Sequence, residues 1–319
     1  MSKRLAICTL FEGGYHYGLG PLANSLYASG FRGIIWAGYR GALPFWAQPV
    51  TETGSYAEFQ VAEGCAIHFV PLDTTAHLTN YKPDFMLRVF ETYAPDCAGL
   101  IYLDPDIIMS DPWRSFEEWI GCGVAVCEDV NSPFAAHHPR RVGWRRFYEG
   151  TARLLPKEPF YANGGFVGVR REDAAFLELW KRLQDRLWQA IGGAEYSGFV
   201  GEKSVALQSD YPSCFDKTDQ DVLNAAIEAV EGIPVSFGNK QAMGFETGKA
   251  VLPHALGPDK PWKKQYLRDA LRGAALRAVD KEYWLHAQGP IRVFTSRQLL
   301  AKRIVLKISA VLGRFIRRS

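Results

Sequence analysis

No stretch of the sequence approaches the roughly 18 to 20 consecutive apolar residues that a membrane-spanning helix needs. Proline and glycine, 18 and 30 in a chain of 319, form no collagen-like period and no low-complexity tract. Cysteine is sparse. The six thiols (Cys8, Cys65, Cys97, Cys122, Cys127, Cys214) include no C-x-x-C pair, and most sit in apolar segments, where a free thiol behaves as a small hydrophobe. That excludes a disulfide framework and fits a reducing compartment. Excess positive charge is also missing from most of the chain. Residues 297–319 hold seven basic side chains and no acidic ones, while the other 296 residues carry 30 basic against 34 acidic, a net of −4. A nucleic-acid-binding surface spread over that mildly acidic body is therefore excluded.

What is present is the material of a packed domain: 47% hydrophobic and 22% charged residues rule out global disorder. The N-terminal Met-Ser-Lys-Arg followed by Leu5–Leu10 imitates a signal peptide, but Glu12-Gly13-Gly14 follows where a small-residue cleavage site belongs. It reads as a first strand. Leu5–Leu10, Gly33–Ala37, Ala66–Phe69, Gly99–Leu103, Gly123–Cys127 and Phe166–Val169 are short buried-strand patterns. Between or after them, Pro21–Ser29, Pro83–Tyr93, Val142–Leu155, Asp173–Ala190 and the segment opened by Asp219-Gln220-Asp221 have helical spacing. This alternation predicts an α/β fold with a mostly parallel, mixed sheet flanked by helices. The composition turns helical and basic at Lys263–Val279, which places a boundary near 265: a catalytic-type domain over 1–265 and a helical extension over 266–319.

The sharpest local feature is Gly99-Leu-Ile-Tyr-Leu-Asp104-Pro-Asp106. A buried strand runs into two carboxylates two positions apart, and an extended chain would aim both to one side. Side-by-side carboxylates repel unless a cation lies between them, and hard divalent ions prefer such ligands. A pair of ordinary turn aspartates is the plainer alternative. Three further segments add weight. Asn163-Gly164-Gly165 precedes a strand, and its glycines permit close backbone approach. Asp219-Gln220-Asp221 puts polar groups in a helix's first turn, where Asp219 could also be a simple cap. His254-Ala-Leu-Gly257-Pro-Asp-Lys260-Pro-Trp262 joins an imidazole, a flexible glycine, a cation and an aromatic. Other candidates read as structural: His137-His138 as a solvated loop, Lys82 and Arg88 as surface positions within reach of phosphate, Trp36, Tyr39, Phe45 and Trp46 as core, and Trp144–Tyr148 as a helix face.

In this order and spacing the four segments, spread over Leu5 to Trp262, resemble glycosyltransferase family 8, the retaining, metal-dependent group with the GT-A (Rossmann-like) fold that includes bacterial lipopolysaccharide galactosyl- and glucosyltransferases. The resemblance implies that Asp104 and Asp106 are the Asp-x-Asp motif and that His254 completes the ligands of a metal, Mn²⁺ or alternatively Mg²⁺. It implies further that Gly257 and Lys260 hold the diphosphate, and that Asn163, Gly164 and Gly165 lie against the donor sugar. Asp219 and Gln220 would then flank the reacting carbon. The first strand and its Thr9–Tyr17 loop stand where the family holds uridine, with Thr9 and Tyr15 as the candidate contacts. Glu12-Gly-Gly-Tyr15-His16-Tyr17 departs from the usual acidic and asparagine-bearing loop there. Glu128 or Asp129 matches a sugar-binding acid. The implied activity is transfer of a hexose, with retention, from a UDP-sugar to a glycan or lipid-linked acceptor, as in bacterial surface polysaccharide assembly. A sugar-phosphate nucleotidyltransferase and a non-catalytic sugar-binding protein held at a membrane are the alternatives.

The tail has its own character. Leu299, Leu300, Ile304, Val305, Leu306, Ile308, Val311, Leu312, Phe315 and Ile316 supply apolar bulk, and Arg303, Lys307, Arg314 and Arg318 fall within about 60° of one another on a helix. A basic stripe beside a broad apolar face predicts a helix lying on an anionic membrane surface, hence a cytoplasmic protein held peripherally at the inner face of the membrane. Packing on the domain, oligomerisation and nucleic-acid binding compete with that reading, and the apolar breadth argues against nucleic acid.

Overall fold

The computed structural model describes residues 5–197 and 214–316; Arg317 and Arg318 of the basic tail lie outside the described residues. The first part of the chain forms β1 (Leu5–Glu12), α1 (His16–Ala28), β2 (Gly33–Arg40), β3 (Thr51–Thr53), β4 (Tyr56–Ala62) and β5 (Cys65–Pro71). The middle forms α2 (Lys82–Arg88), β6 (Gly99–Leu103), α3 (Trp113–Ile120), β7 (Val124–Glu128), α4 (Pro139–Phe147), β8 (Ala162–Arg170), α5 (Ala175–Ile191) and α6 (Thr218–Ala229). The last part forms β9 (Val235–Gly238), α7 (Tyr266–Leu271), α8 (Ala278–His286) and α9 (Ser296–Ile316). This is the expected mixed α/β architecture. The chain passes repeatedly between two compact units: one built from residues up to Leu10, Leu72–Leu103 and Phe116–Lys240, the other from Phe11–Pro71, Asp104–Ser115 and Gln241 onward.

In the first unit β1 pairs parallel with β6, and β6 and β7 both run antiparallel to β8, while β7 takes β9 as a parallel neighbour. Helix α5 carries Phe176, Leu177, Trp180, Leu183 and Leu187 on one buried face, the three-and-four spacing that its sequence shows. It packs against α2 and α6. In the second unit β2 pairs parallel with β5, and β5, β4 and β3 follow as an antiparallel meander. Here α1 packs on α8, and α9 on α7, around a core of Ile108, Ala255, Tyr266, Val279, Tyr283, Trp284 and Ala287.

Several expectations need correction. The helix expected over Val142–Leu155 is α4, which ends at Phe147 and is followed by a turn. The helical stretch expected over Lys263–Val279 is broken in two at Gly273, whose positive φ of 83° ends α7, a conformation that glycine reaches without a Cβ clash. Phe45 is 61% exposed, although Trp36 and Trp46 are buried as core residues. Among the described residues no helix is long and apolar enough to cross a membrane.

Candidate functional site

The Asp-x-Asp segment does not stay extended after β6. It turns, with the Ile107 amide donating to the Asp104 carbonyl at 3.1 Å, and Pro105 occupies the turn position where its fixed φ is favourable. The chain then runs antiparallel to residues 251–255: Ile108 N donates to Pro253 O at 3.0 Å, Ser110 N to Val251 O at 2.9 Å, and Ala255 N to Asp106 O at 3.1 Å. That pairing sets His254 opposite Ile107, which is how an imidazole so far downstream reaches the two aspartates. Its Nε2 lies 3.3 Å from Asp106 Oδ1 and 3.7 Å from Asp104 Oδ2. Ligand atoms of Asp104, Asp106 and His254 all lie within 4.8 Å of one another.

The second carboxylate oxygen of Asp106 accepts from the Lys260 ammonium, which also donates to Ala255 O at 2.7 Å. Both residues are buried. Burial pushes the Asp106 carboxyl up, but His254 and Lys260 outweigh it and hold it well below the usual carboxylate range. Two carboxylates and one imidazole form a hard, mixed oxygen–nitrogen donor set that fits a divalent cation. Tyr15 stands beside this group, with Lys260 Nζ 5.5 Å from its ring centroid and its ring edge-on to Trp262 at 6.0 Å. Burial raises the Tyr15 phenol against the pull of Lys260. Gly257 sits in an open left-handed turn, φ 76°. Gly18 of α1 faces Pro105, and a Cβ there would come within 2.3 Å of the Pro105 carbonyl oxygen.

The first unit gathers a second polar cluster. Residues 163–165, expected just ahead of a strand, lie inside β8. Gly164 N donates to Gln220 Oε1 at 3.1 Å, and Gly165 N to Asn163 Oδ1 at 2.9 Å. Asn163 Nδ2 donates to the buried Asp129 at 2.7 Å, so of the two acids considered after β7 it is Asp129 that joins Asn163, while Glu128 accepts from Ser132 at 2.6 Å. Asn224, one turn beyond Gln220, exchanges hydrogen bonds of 2.7 and 2.9 Å with the backbone of Ala162. This clamps the start of α6 to the start of β8. Gln220 Nε2 is buried without a well-formed hydrogen bond, which leaves a donor ready for a ligand. Below it, burial pushes the Asp221 carboxyl up to about 6 against the pull of Arg140.

Lys82, expected as a surface position within reach of phosphate, is instead buried. It is only 1% exposed, donating to Gly164 O at 2.8 Å and to Asp219 Oδ2 at 3.0 Å. A Cβ on Gly164 would sit 3.1 Å from Asp219 Oδ2 and 3.3 Å from Lys82 Nζ, so a side chain there would crowd both groups by a few tenths of an ångström. Thr9, by contrast, is fully buried in β1, and its hydroxyl has no partner among the described residues. His138 caps α4 by accepting from Arg140 N at 3.2 Å, and Trp144 lies on the buried face of that helix, with Tyr148 buried just past its end.

No family model matches the sequence, and no curated protein sequence matches it either. Solved structures do. A crystal structure of the galactosyltransferase LgtC in complex with donor and acceptor sugar analogues is similar over 93% of this chain and 99% of that one, at 15% identity and a TM-score of 0.50. An active-site mutant of LgtC, in which a glutamine is replaced by glutamate, covers the same shares at 14% identity and a TM-score of 0.52. At such identities the likeness is one of architecture: the chain has the GT-A glycosyltransferase fold that its motifs led us to expect.

Proposed function

We propose that the protein is a retaining glycosyltransferase that moves a hexose from a UDP-sugar to a glycan or lipid-linked acceptor. The observation that carries the reading is the Asp104–Asp106–His254 group, its Asp106 and His254 buried, with Lys260 against it. Asp104, Asp106 and His254 would hold a divalent cation, Mn²⁺ or Mg²⁺, which would supply Lewis acidity toward the negative charge that a departing diphosphate gathers. Lys260 neutralises Asp106 and offers the same ammonium to a phosphate oxygen. Gly257, with no side chain in its left-handed turn, lets a phosphate approach the backbone. Tyr15 presents a ring for the nucleotide, whereas Thr9, fully buried in β1, is given no contact with it.

In the first unit, Asn163, Gly164 and Gly165 lie against the donor sugar, with Asp129 fixing the Asn163 amide. Gln220 offers its amide to the sugar, and Lys82 holds Asp219 in place. Gln220 is a neutral amide and a poor nucleophile. Attack on the same face as the departing diphosphate therefore explains retention better than a covalent intermediate. The glutamine replaced in the LgtC mutant belongs to that protein's active site, which supports giving Gln220 the comparable role.

The acceptor side extends to the tail. Leu300, Ile304, Ile308, Val311 and Phe315 of α9 are exposed and fall within about 80° of arc, with exposed Arg303 and Lys307 beside them. This face suits an anionic membrane surface on the cytoplasmic side. The deciding experiment is incubation with a panel of UDP-sugars, with Mn²⁺ and with chelator. Release of UDP that needs the cation is the expected result. Pyrophosphate chemistry would support a nucleotidyltransferase instead, and no turnover with any donor would leave a sugar-binding protein.

A further inference from the structure

Beside the metal-binding group, and within the same unit, lies a cleft of about 530 Å³ that the proposed transfer does not use. Its aromatic lining is Tyr17, Phe45, Trp262 and Phe294, and its charged lining is Lys263 and Arg292; among the described residues no acid takes part. Three of these rings touch in series. Tyr17 and Phe294 stack at 5.5 Å and 24°, and Phe45 tilts against Tyr17 at 6.1 Å. Phe45 remains 61% exposed, an unusual cost for a ring that could have been folded inward as its aromatic neighbour Trp46 is. Lys263 and Arg292 are both exposed. Thr295 and Gln298, bonded to each other at the start of α9, close one end of the cleft, where the helix adds the positive end of its dipole. Trp262 connects the cleft to Tyr15 and, through it, to Lys260.

We propose that this cleft is an acceptor subsite for an acidic saccharide, a glycan whose sugar rings carry carboxylates. Flat aromatic faces take the C–H faces of pyranose rings, and planar guanidinium and ammonium groups pair with carboxylates. A neutral glycan would use the rings and leave two cations unpaired, whereas an apolar chain would have to bury them. The absence of any acid among the described lining residues makes the charge preference one-sided. The acceptor role rests on the glycosyltransferase reading; the binding itself does not.

The test measures binding without donor, by microscale thermophoresis of the full chain with fluorescently labelled tetragalacturonate and labelled maltotetraose. The parent is expected to bind the acidic tetrasaccharide at least about tenfold more tightly than the neutral one at low salt. Lys263→Glu combined with Arg292→Glu should abolish that difference, and Phe45→Ala should weaken both ligands by about tenfold. Mn²⁺-dependent UDP affinity should stay within about twofold of the parent in every variant. Three results would each overturn the proposal: no preference of the parent for the acidic saccharide, an undiminished preference for it in the charge-reversed variant, or loss of UDP binding in the variants, which would make the cleft part of a nucleotide site. Binding of tetragalacturonate by a protein that turns over no UDP-sugar would keep the subsite and remove the transferase reading.

Discussion

Replacing Gly18 by alanine separates the cost of packing from the geometry of the proposed metal ligands Asp104 and Asp106. In an ordinary helix the change stabilises by up to about 1 kcal/mol. Here the new Cβ would stand 2.3 Å from the Pro105 carbonyl oxygen and 3.0 Å from the Trp262 ring edge. Pro105 is backbone, flanked by Asp104 and Asp106, so relief of the overlap moves the turn between the two ligands by about 1 Å. Overpacking of this size costs about 1 to 3 kcal/mol, which cancels the helical gain or exceeds it. Displacing groups that orient metal ligands lowers metal affinity by about 10- to 100-fold. Isothermal titration with Mn²⁺ and a thermal melt of the same preparation read both quantities. Gly20→Ala is the control: its Cβ would meet a Val293 methyl at 2.3 Å, a clash with no metal ligand involved. It should lower the melting temperature and leave Mn²⁺ affinity unchanged. Parent-like Mn²⁺ affinity in Gly18→Ala, together with an unchanged or raised melting temperature, would refute the argument.

Asp106→Ala and His254→Ala should each abolish Mn²⁺-dependent UDP-sugar turnover and the thermal stabilisation that Mn²⁺ with UDP gives the parent; full activity of either in chelator would remove the metal assignment. Lys260→Ala should weaken UDP binding, whereas Gln220→Ala should chiefly lower kcat, and a normal kcat in Gln220→Ala would take that residue off the catalytic list. Asp280 is fully buried and accepts from Lys264 at 2.9 Å and from Arg277 at 3.0 Å, so Asp280→Asn should cost about 3 kcal/mol in urea unfolding at pH 7. Burial raises the Asp280 carboxyl, but Arg277 and Lys264 overcome this and depress it below its ordinary 3.8; the stabilisation is therefore complete above that pH and fades as pH falls through the lowered value, and a gap between parent and variant that does not narrow in acid would contradict it. Ile304→Asp with Phe315→Asp should eliminate salt-sensitive sedimentation with anionic liposomes while the melt stays near that of the parent, and equal sedimentation would rule out α9 as the membrane contact.

Much of the frame was legible because buried strands here are short apolar bursts. Gly99–Leu103 is β6 to the residue, and the α5 stripe could be counted from its three-and-four steps. The meander β3–β4 escaped because Thr-Glu-Thr and Tyr-Ala-Glu-Phe-Gln-Val-Ala carry polar residues and lie partly exposed, so no apolar run marks them. The Asp104–Asp106 pair was visible, but the turn between them was not, since Pro105 suits an extended neighbour and a turn alike. Spacing alone could not join His254 to that pair; the pairing of 251–255 with 106–110 does it, and only the family resemblance anticipated it. The burial of Lys82 was hidden for the opposite reason. Lysine at a helix start is ordinarily solvated, and its burial depends on the Gly164 carbonyl and Asp219 carboxylate, both supplied from far along the chain.

The tail shows how composition overstates a surface. Ten apolar residues in α9 suggest one broad face, yet they divide between two. Leu299, Val305 and Leu306 pack against the core formed around Tyr266 and Trp284, and Lys302 lies over both of those rings at 5.5 Å, its pKa lowered by burial. Packing on the domain and exposure to a partner are therefore not rival explanations of this helix, because each claims a different side of it. Cutting the chain before α9 would strip the cover from Val279 and Trp284, so loss of function after truncation would say nothing about membranes. The remaining arc carries Phe315 at 84% exposure and three further side chains, Leu300, Ile304 and Val311, more than half exposed. Fully burying each such side chain would contribute about 1.5 to 3 kcal/mol. Even a fraction of that, added to about 1 kcal/mol for each basic residue near anionic lipid, exceeds what one myristoyl chain provides for reversible attachment. Point changes on the exposed arc alone can therefore test the proposed membrane contact without disturbing the fold.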